Sequence, residues 1–372
     1  MSELQQFTAQ DEQFMRRAIA LAAHGQYTTT PNPNVGCVIV KDGEIVGEGF
    51  HIRAGEGHAE VHALKAAGDK AKGATAYVTL EPCSHYGRTP PCAEGLIKAG
   101  VSKVIAAMVD NNPQVAGKGM AMLSAAGIET AYGLLGDEAR ALNLGFFKRM
   151  ATGMPYVTCK LAASLDGKTA LENGESKWIT GPLAREDVQR FRAKSCAIIS
   201  GADTILADDA QLSVRSHFYP ELQDTIRQPL RVIFDSQNRL TPDLALFQTE
   251  GPVLLLRNST QPLDNSPHWP HFVEQCQVES RNGKICPTAV LKLLARRGIN
   301  HVWLEAGQTL AGVFHEAGLI DSYVVYLAPK IIGNAGRGLF AVPPLMALAQ
   351  ATTLTFSDVV QIGSDLRITA LK

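Results

Sequence analysis

In "HAEVHALKAAG", residues 58 to 68, and "EPCSHYGRTPPC", residues 81 to 92, a histidine, a carboxylate and two thiols stand near enough in sequence to share one site. A hydrolytic zinc centre needs three protein ligands and an open position, so that the metal can bring the pKa of a bound water down to about 7. His58, Cys83 and Cys92 would supply one nitrogen and two thiolates to one zinc ion per chain. Glu60, two residues after His58, then has the place of the carboxyl group that is not a ligand. It would take the water's proton and hand it to a ring and to departing ammonia.

An H-x-E segment followed by P-C-x-x-C is the signature of zinc deaminases, and "HAE" with "EPC" matches most of it. The spacing departs, with eight residues between Cys83 and Cys92. The geometry survives that insertion if "SHYGRTPP" loops out and Cys92 opens the next helix, where the positive end of the dipole favours a thiolate. Two other readings use the same letters. His58 and His62 are spaced as in H-E-x-x-H hydrolases, but Ala59 stands where that motif needs glutamate. A closed structural zinc site would leave Glu60 unexplained, and Cys37 is the only other thiol in this half. His24, Cys37 and His62 read as packed or exposed residues.

These residues need a scaffold, and the pattern around them supplies one. From Asp11 to Gly25 apolar residues recur at three- and four-residue spacing, which predicts a helix with one buried face that Gly25 ends. "VGCVIVKDGEIVGEGF" predicts a hairpin around Asp42-Gly43. Helical "HAEVHALKAAG" and "CAEGLIKAG" then alternate with the strands "ATAYVTL" and "SKVIAAM", which implies an α/β sheet with parallel pairs. The helical pattern stops near Thr152-Gly153 and Pro155 forces an extended restart, so we divide the chain into domains 1–151 and 152–372. In the second, "YVTCKLAAS", "CAIIS", "LRVIFD", "PVLLLR", "HVWLEAG" and "SYVVYLAP" read as strands, with helical "GPLAREDVQRFRAKS" and "AVLKLLARRG" between them. The polar stretch 258–271 reads as a surface loop.

At 372 residues the chain has room for two such cores. A formal charge of -1 gives no field to gather nucleic acid or an anionic membrane, so a small-molecule substrate is expected. The sequence shows neither a signal peptide nor an apolar run of the ~18 residues needed to span a bilayer. Seven cysteines spread over both halves read as reduced thiols, and the expected location is cytoplasmic.

In the second half, "HVWLEAG" runs into the helical "GQTLAGVFHEAG", and Gly307 between them would let a phosphate reach free helix N–H groups. No G-x-G-x-x-G follows a strand there, which argues against an ordinary Rossmann unit, and "GNAGRG" reads as a loop. Trp178 is a further candidate, while a solvated helix face accounts for Arg185 and Arg190.

Taken together, "PNPNVGCVIVKDGEIVGEG", "HAEVHAL", "VTLEPCSHYGRTPPC", "LAASLDGKTA", "GESKWIT" and "VWLEAGQTLAG" make the whole chain resemble the bifunctional deaminase/reductase family of riboflavin biosynthesis. The resemblance implies an N-terminal domain of cytidine-deaminase-like three-layer α/β/α fold and a C-terminal dihydrofolate-reductase-like α/β domain. It implies zinc-dependent deamination of 2,5-diamino-6-(5-phosphoribosylamino)pyrimidin-4-one, then NADPH-dependent reduction of the ribosyl group to give 5-amino-6-(5-phosphoribitylamino)uracil. By it, Asn32, His51, His85, Arg88 and Thr89 hold the pyrimidine and its phosphate. NADPH falls to Ala162, Trp178, Thr204, Asp208, Gly307, Gln308, Thr309 and Leu310. The reductase substrate falls to Lys160, Asp166, Ser176, Arg192, Leu212, Arg215, Ser236 and Glu305, with Ser164 in the same stretch as Lys160. Asn111 and Ala210 stand where the family usually has proline. A homo-oligomer, a dimer, is implied. The alternative is a nucleoside or RNA-base zinc deaminase with an accessory C-terminal domain; a zinc-stabilised interaction protein is the non-enzymatic one.

Overall fold

The computed structural model describes residues 7–86, 90–110, 116–215, 226–260, 263 and 268–372. They form two compact units, divided between Gly153 and Met154.

The first unit begins with α1 (Ala9–Ala23), whose start is fixed by a capping box between Thr8 and Asp11. The helix tightens into a 3-10 turn over His24–Tyr27, so Gly25 lies inside the closing turn rather than after it. Then come β1 (Gly36–Lys41), β2 (Glu44–Phe50), α2 (Ala59–Ala67), β3 (Thr75–Val78), α3 (Cys92–Ala99), β4 (Lys103–Ala106), α4 (Lys118–Ala125), β5 (Glu129–Tyr132), α5 (Gly136–Ala141) and α6 (Leu144–Thr152). The sheet order is β2-β1-β3-β4-β5. β1 is antiparallel to β2 and β3, and the rest of the sheet is parallel. The expected hairpin forms because Asp42 and Gly43 both take positive φ, the type I′ geometry that matches strand twist. Alternation then splits β1 between two cores: Cys37 and Ile39 pack towards α2, α3 and α4, Val38 and Val40 towards α1 and α5. That makes three layers, α/β/α.

The second unit contains β6 (Tyr156–Ser164), α7 (Pro182–Lys194), β7 (Ala197–Gly201), α8 (Ala202–Asp208), β8 (Leu230–Phe234), α9 (Ala245–Gln248), β9 (Val253–Asn258) and β10 (Val273–Val278). It continues with β11 (Ser280–Arg281), β12 (Lys284–Ile285), α10 (Pro287–Arg296), β13 (His301–Glu305), α11 (Gln308–Glu316), β14 (Ser322–Ala328), β15 (Thr355–Ile362) and β16 (Asp365–Leu371). Nine strands run in the order β10-β9-β8-β7-β13-β6-β14-β16-β15. Those from β10 to β14 are parallel, and β16 and β15 close the edge as an antiparallel pair. The strands from β7 to β14 are largely buried on both sides, as parallel strands under two helix layers must be, and β6 and β13 set Lys160 and Glu305 among the residues of one face. Val302 and Leu304 of β13 belong to the core under α10 and α11, and Trp303 to the core under α7 and α8. Within the stretch 258–271, residues 261–262 and 264–267 lie outside the described residues, as does Asn111.

Candidate active sites

In the first unit, the sheet ends and the helix starts bring the motif residues together. His58 is the N-cap of α2, in extended conformation, so its side chain stands at the helix mouth. Glu60 follows in the first turn. Cys83 lies on the irregular segment after β3, and Cys92 is the first residue of α3. One donor atom from each of His58, Cys83 and Cys92 lies within 4.8 Å of the others. His58 Nδ1 is 3.3 Å from Cys92 Sγ and 3.6 Å from Cys83 Sγ. The free N–H of Cys92 donates to Cys83 Sγ over 3.3 Å, so the start of α3 favours negative charge on Cys83. Glu60 is 3 % exposed, and its Oε2 has no hydrogen-bond partner among the described residues. A buried carboxylate oxygen left open beside three soft and imidazole donors is what a zinc-activated water would satisfy, so the residues fit the metal.

Beside this cluster His51 is buried, its Nδ1 on the Gly57 carbonyl (3.1 Å) and its Nε2 3.0 Å from Asn32 Nδ2. The amide therefore donates to Nε2 when Nδ1 carries the proton. The His51 and His58 rings meet edge to face at 5.3 Å. His85 is exposed on the 81–86 segment. Arg88 and Thr89 lie outside the described residues.

The second unit holds a cleft of about 1150 Å³ at the C-terminal ends of its parallel strands. Its lining includes Lys160, Ala162, Ser176, Trp178, Arg192, Thr204, Asp208, Leu212, Arg215 and Glu305, with Gly307, Gln308, Thr309 and Leu310 at the start of α11. Strand register explains the pairing at its base. Lys160 of β6 lies directly opposite Glu305 of β13, and two-residue alternation sends both to the face under α7. Arg192 of α7 grips Glu305 with two donors, Nε to Oε1 at 2.8 Å and Nη2 to Oε2 at 2.6 Å. Trp303 Nε1 donates to Oε1 at 2.6 Å. Lys160, by contrast, makes no hydrogen bond or ion pair within 4 Å among the described residues, which leaves its ammonium available to a ligand.

Two of the expected residues are elsewhere. The Asp166 carboxylate is taken by the N–H groups of Ile332 and Gly333 and by the Ser164 hydroxyl, and holds the loop after β14. Ser236 sits in the turn after β8, outside the cleft lining. Arg185 is not on a solvated helix face: its guanidinium lies 4.4 Å from the centre of the Trp178 ring, in the cleft, and donates to the Thr180 carbonyl. Its place was missed because Trp178 belongs to a loop, which helical spacing does not register. Ala210, too, lines the cleft.

Residues 155–368 match the family described as RibD C-terminal domain, and residues 8–108 match the cytidine and deoxycytidylate deaminase zinc-binding region. The riboflavin biosynthesis protein RibD of Haemophilus influenzae is 55% identical over 98% of this chain and 98% of its own, and that of Escherichia coli 52% identical over 96% and 98%. The chain belongs to the RibD family. Solved structures agree with that. RibD of Acinetobacter baumannii superposes with a TM-score of 0.89 at 46% identity, covering 97% of this chain and 98% of that one. A diaminohydroxyphosphoribosylaminopyrimidine deaminase/5-amino-6-(5-phosphoribosylamino)uracil reductase from Thermotoga maritima does so with 0.85 at 33% identity, over 97% and 98%. Membership makes this a bifunctional enzyme of riboflavin biosynthesis, a zinc deaminase joined to a dihydrofolate-reductase-like NADPH reductase, and sets aside the nucleoside or RNA-base alternative.

The electrostatics of the two RibD sites differ as their tasks do. Hydrogen bonding to Cys92, and more weakly to His58, pulls the Cys83 thiol down to about 4 against its burial, a group ready to bind metal as thiolate. Burial pushes the Glu60 carboxyl up, the direction a proton shuttle needs. Burial pushes His51 down, so it is neutral and able to accept from Asn32. In the reductase, burial works against the Glu305 carboxylate but Arg192 overrides it and holds it at about 2, while burial lowers Lys160.

Proposed function

We propose that the first unit deaminates 2,5-diamino-6-(5-phosphoribosylamino)pyrimidin-4-one and that the second reduces the deaminated ribosyl compound to 5-amino-6-(5-phosphoribitylamino)uracil. His58, Cys83 and Cys92 hold zinc, which when bound supplies an acidified water at neutral pH. Glu60 would take that water's first proton on Oε2 and give it to the ring nitrogen, then carry the remaining hydroxyl proton to the amino group, which leaves as ammonia. Asn32 and His51 form a rigid pair that orients the pyrimidine by its polar edge. His85, Arg88 and Thr89 belong to the segment between Cys83 and Cys92 and bind the ribose phosphate, whose charge suits guanidinium and hydroxyl donors. The single observation that carries this half is the buried, unpartnered Glu60 Oε2 in the first turn of the helix that His58 caps.

NADPH supplies the hydride for the second step. Gly307, Gln308, Thr309 and Leu310 at the start of α11, with Ala162, Trp178, Thr204 and Asp208, hold the cofactor; the first N–H groups of that helix suit its phosphates. Gly307 sets no side chain in the way of such an approach, its backbone being extended where it lines the cleft. Lys160, Glu305, Arg192, Ser176, Leu212 and Arg215 receive the ribosyl substrate, the free Lys160 ammonium meeting its oxygen atoms. Asp166 and Ser236 act on this site from outside the lining.

The requirement for Cys83 and Cys92 as thiolates suits a reducing cytoplasm, and no helix among the described residues is long and apolar enough to cross a membrane. A homodimer is supported by β15, a sheet edge on which Phe356 is 71% and Val359 55% exposed. Sedimentation velocity of the wild type and of Phe356→Glu tests it, with a shift from dimer to monomer expected. For the chemistry, the freshly made diamino compound is incubated with the purified protein, with and without NADPH, and products are weighed by mass spectrometry. The deaminated ribosyl product without NADPH and the ribityl product with it are expected. Ammonia release without any NADPH consumption would refute the reductase assignment.

A further inference from the structure

We propose that Glu81 is a positioning residue of the metal centre: it holds Cys83 at its ligating position by clamping the Glu81–Cys83 segment to the first turn of α4. The inference rests on the reading of Cys83 as a zinc ligand. Glu81 is buried, and its two oxygens accept four backbone N–H groups. Oε1 accepts from Gly119 at 2.8 Å and Met120 at 3.3 Å; Oε2 accepts from Gly117 at 2.9 Å and Asp110 at 3.1 Å.

α4 has no side-chain cap of its own, because Gly117 is its N-cap. The orphan donors of a helix start must be met by something, and here a carboxylate from the metal-binding segment meets them. The packing is as close as the bonding. A Cβ at Gly119 would lie 1.9 Å from the Pro82 carbonyl oxygen, so the α4 backbone rests directly on the residue before Cys83. On its other side Cys83 is tied to α3, its carbonyl accepting from Ala93 N–H at 3.2 Å and its sulfur from Cys92 N–H at 3.3 Å. The ligand is thus fixed between two helix starts, directly to one and through Glu81 to the other. α4 itself, "KGMAMLSA", carries no metal donor other than methionine sulfur.

The test is the zinc affinity of the full chain, measured by competition with a chromophoric chelator, for wild type, Glu81→Gln, Gly119→Ala, Cys83→Ser and Tyr77→Phe. Glu81→Gln keeps the shape but turns an amide donor towards N–H donors. Gly119→Ala pushes α4 off Pro82 and sets a Cβ 3.2 Å from Glu81 Oε1, so it opens the same clamp while leaving the carboxylate itself in place, and it carries the test should Glu81→Gln not fold. Tyr77→Phe, which removes a 2.6 Å hydrogen bond to Asp11 under α1, controls for lost stability alone. Zinc affinity is expected to fall about 10- to 100-fold in Glu81→Gln and Gly119→Ala, as for other groups that orient a ligand. Tyr77→Phe should keep wild-type affinity, and NADPH-dependent reduction of the deaminated compound should be unchanged in all of them. Wild-type affinity in Glu81→Gln beside a large loss in Cys83→Ser would overturn the inference, and so would equal losses in Glu81→Gln and Tyr77→Phe. If Cys83→Ser binds zinc as wild type does, the ligand assignment itself falls and the inference with it.

Discussion

Replacing Glu305 by glutamine removes the carboxylate that faces both Arg192 and Lys160 at the base of the reductase cleft, and the structure sets the size of the effect in two ways. Arg192 and Glu305 are 14% and 10% exposed at their side chains and share two hydrogen bonds, so the substitution leaves a buried cation uncompensated, at about 3–5 kcal/mol. Independently, lowering the carboxyl from its ordinary 4.5 to about 2 corresponds to ~3 kcal/mol of folded-state preference for the charged form. The two figures agree. Because the folded-state pKa is depressed, the unfolded chain binds the proton first as pH falls. The contribution is therefore complete above pH 4.5 and is lost towards about pH 2. All three tryptophans, Trp178, Trp269 and Trp303, lie in the second unit, so urea unfolding followed by tryptophan fluorescence reports on that unit alone. Glu305→Gln should lose about 3 kcal/mol or more at neutral pH and should lose less than wild type between about pH 5 and about pH 3. A variant within about 1 kcal/mol of wild type, or one with the wild-type acid sensitivity, would refute the reasoning.

Glu60→Gln should lower deamination by roughly 10²- to 10⁴-fold, with zinc content and the reductase reaction unchanged, as read by ammonia release, metal analysis and NADPH absorbance. Removing zinc with a chelator should abolish ammonia release but leave reduction of the pre-deaminated compound intact, because the two units have separate cores. Arg185→Met should raise the KM for NADPH about 2- to 5-fold with little change in kcat, since the cation over Trp178 restrains an indole that is 62% exposed. An unchanged KM would leave Arg185 without a part in cofactor binding.

What could be read from the letters was what depends on near neighbours or on fixed period. Asp42-Gly43 made its hairpin, and Cys92 opens α3 after a looped insertion, as helix-start chemistry requires. The gathering of cleft residues from β6, α7, α8, β13 and α11 followed from the family resemblance, not from any local pattern. Elements escaped where burial is one-sided and weak: β10 and β15 are strands at the two edges of the sheet, with mostly polar or exposed residues and no bounded apolar run to mark them. Glu81 was visible only as a letter of "EPC", because its partners come 29 to 39 residues later and are backbone groups that carry no sequence signal. Arg185 was misjudged for the complementary reason, its partner being a side chain on a preceding loop.

The position of β6 bears on how the chain comes to be assembled at all. It is the first strand of its unit to be made, yet it lies between β13 and β14 in the middle of the nine-stranded sheet. Its neighbours leave the ribosome roughly 145 and roughly 165 residues later, about 7–30 s at ordinary elongation rates. During that interval Val157, Cys159 and Leu161, all buried in the finished protein, have no strand to pair with. The deaminase unit can complete its own sheet early, whereas the reductase sheet can close around its centre only when translation is almost over. A nascent chain stalled before His301 should therefore carry a finished metal site beside an open, aggregation-prone strand.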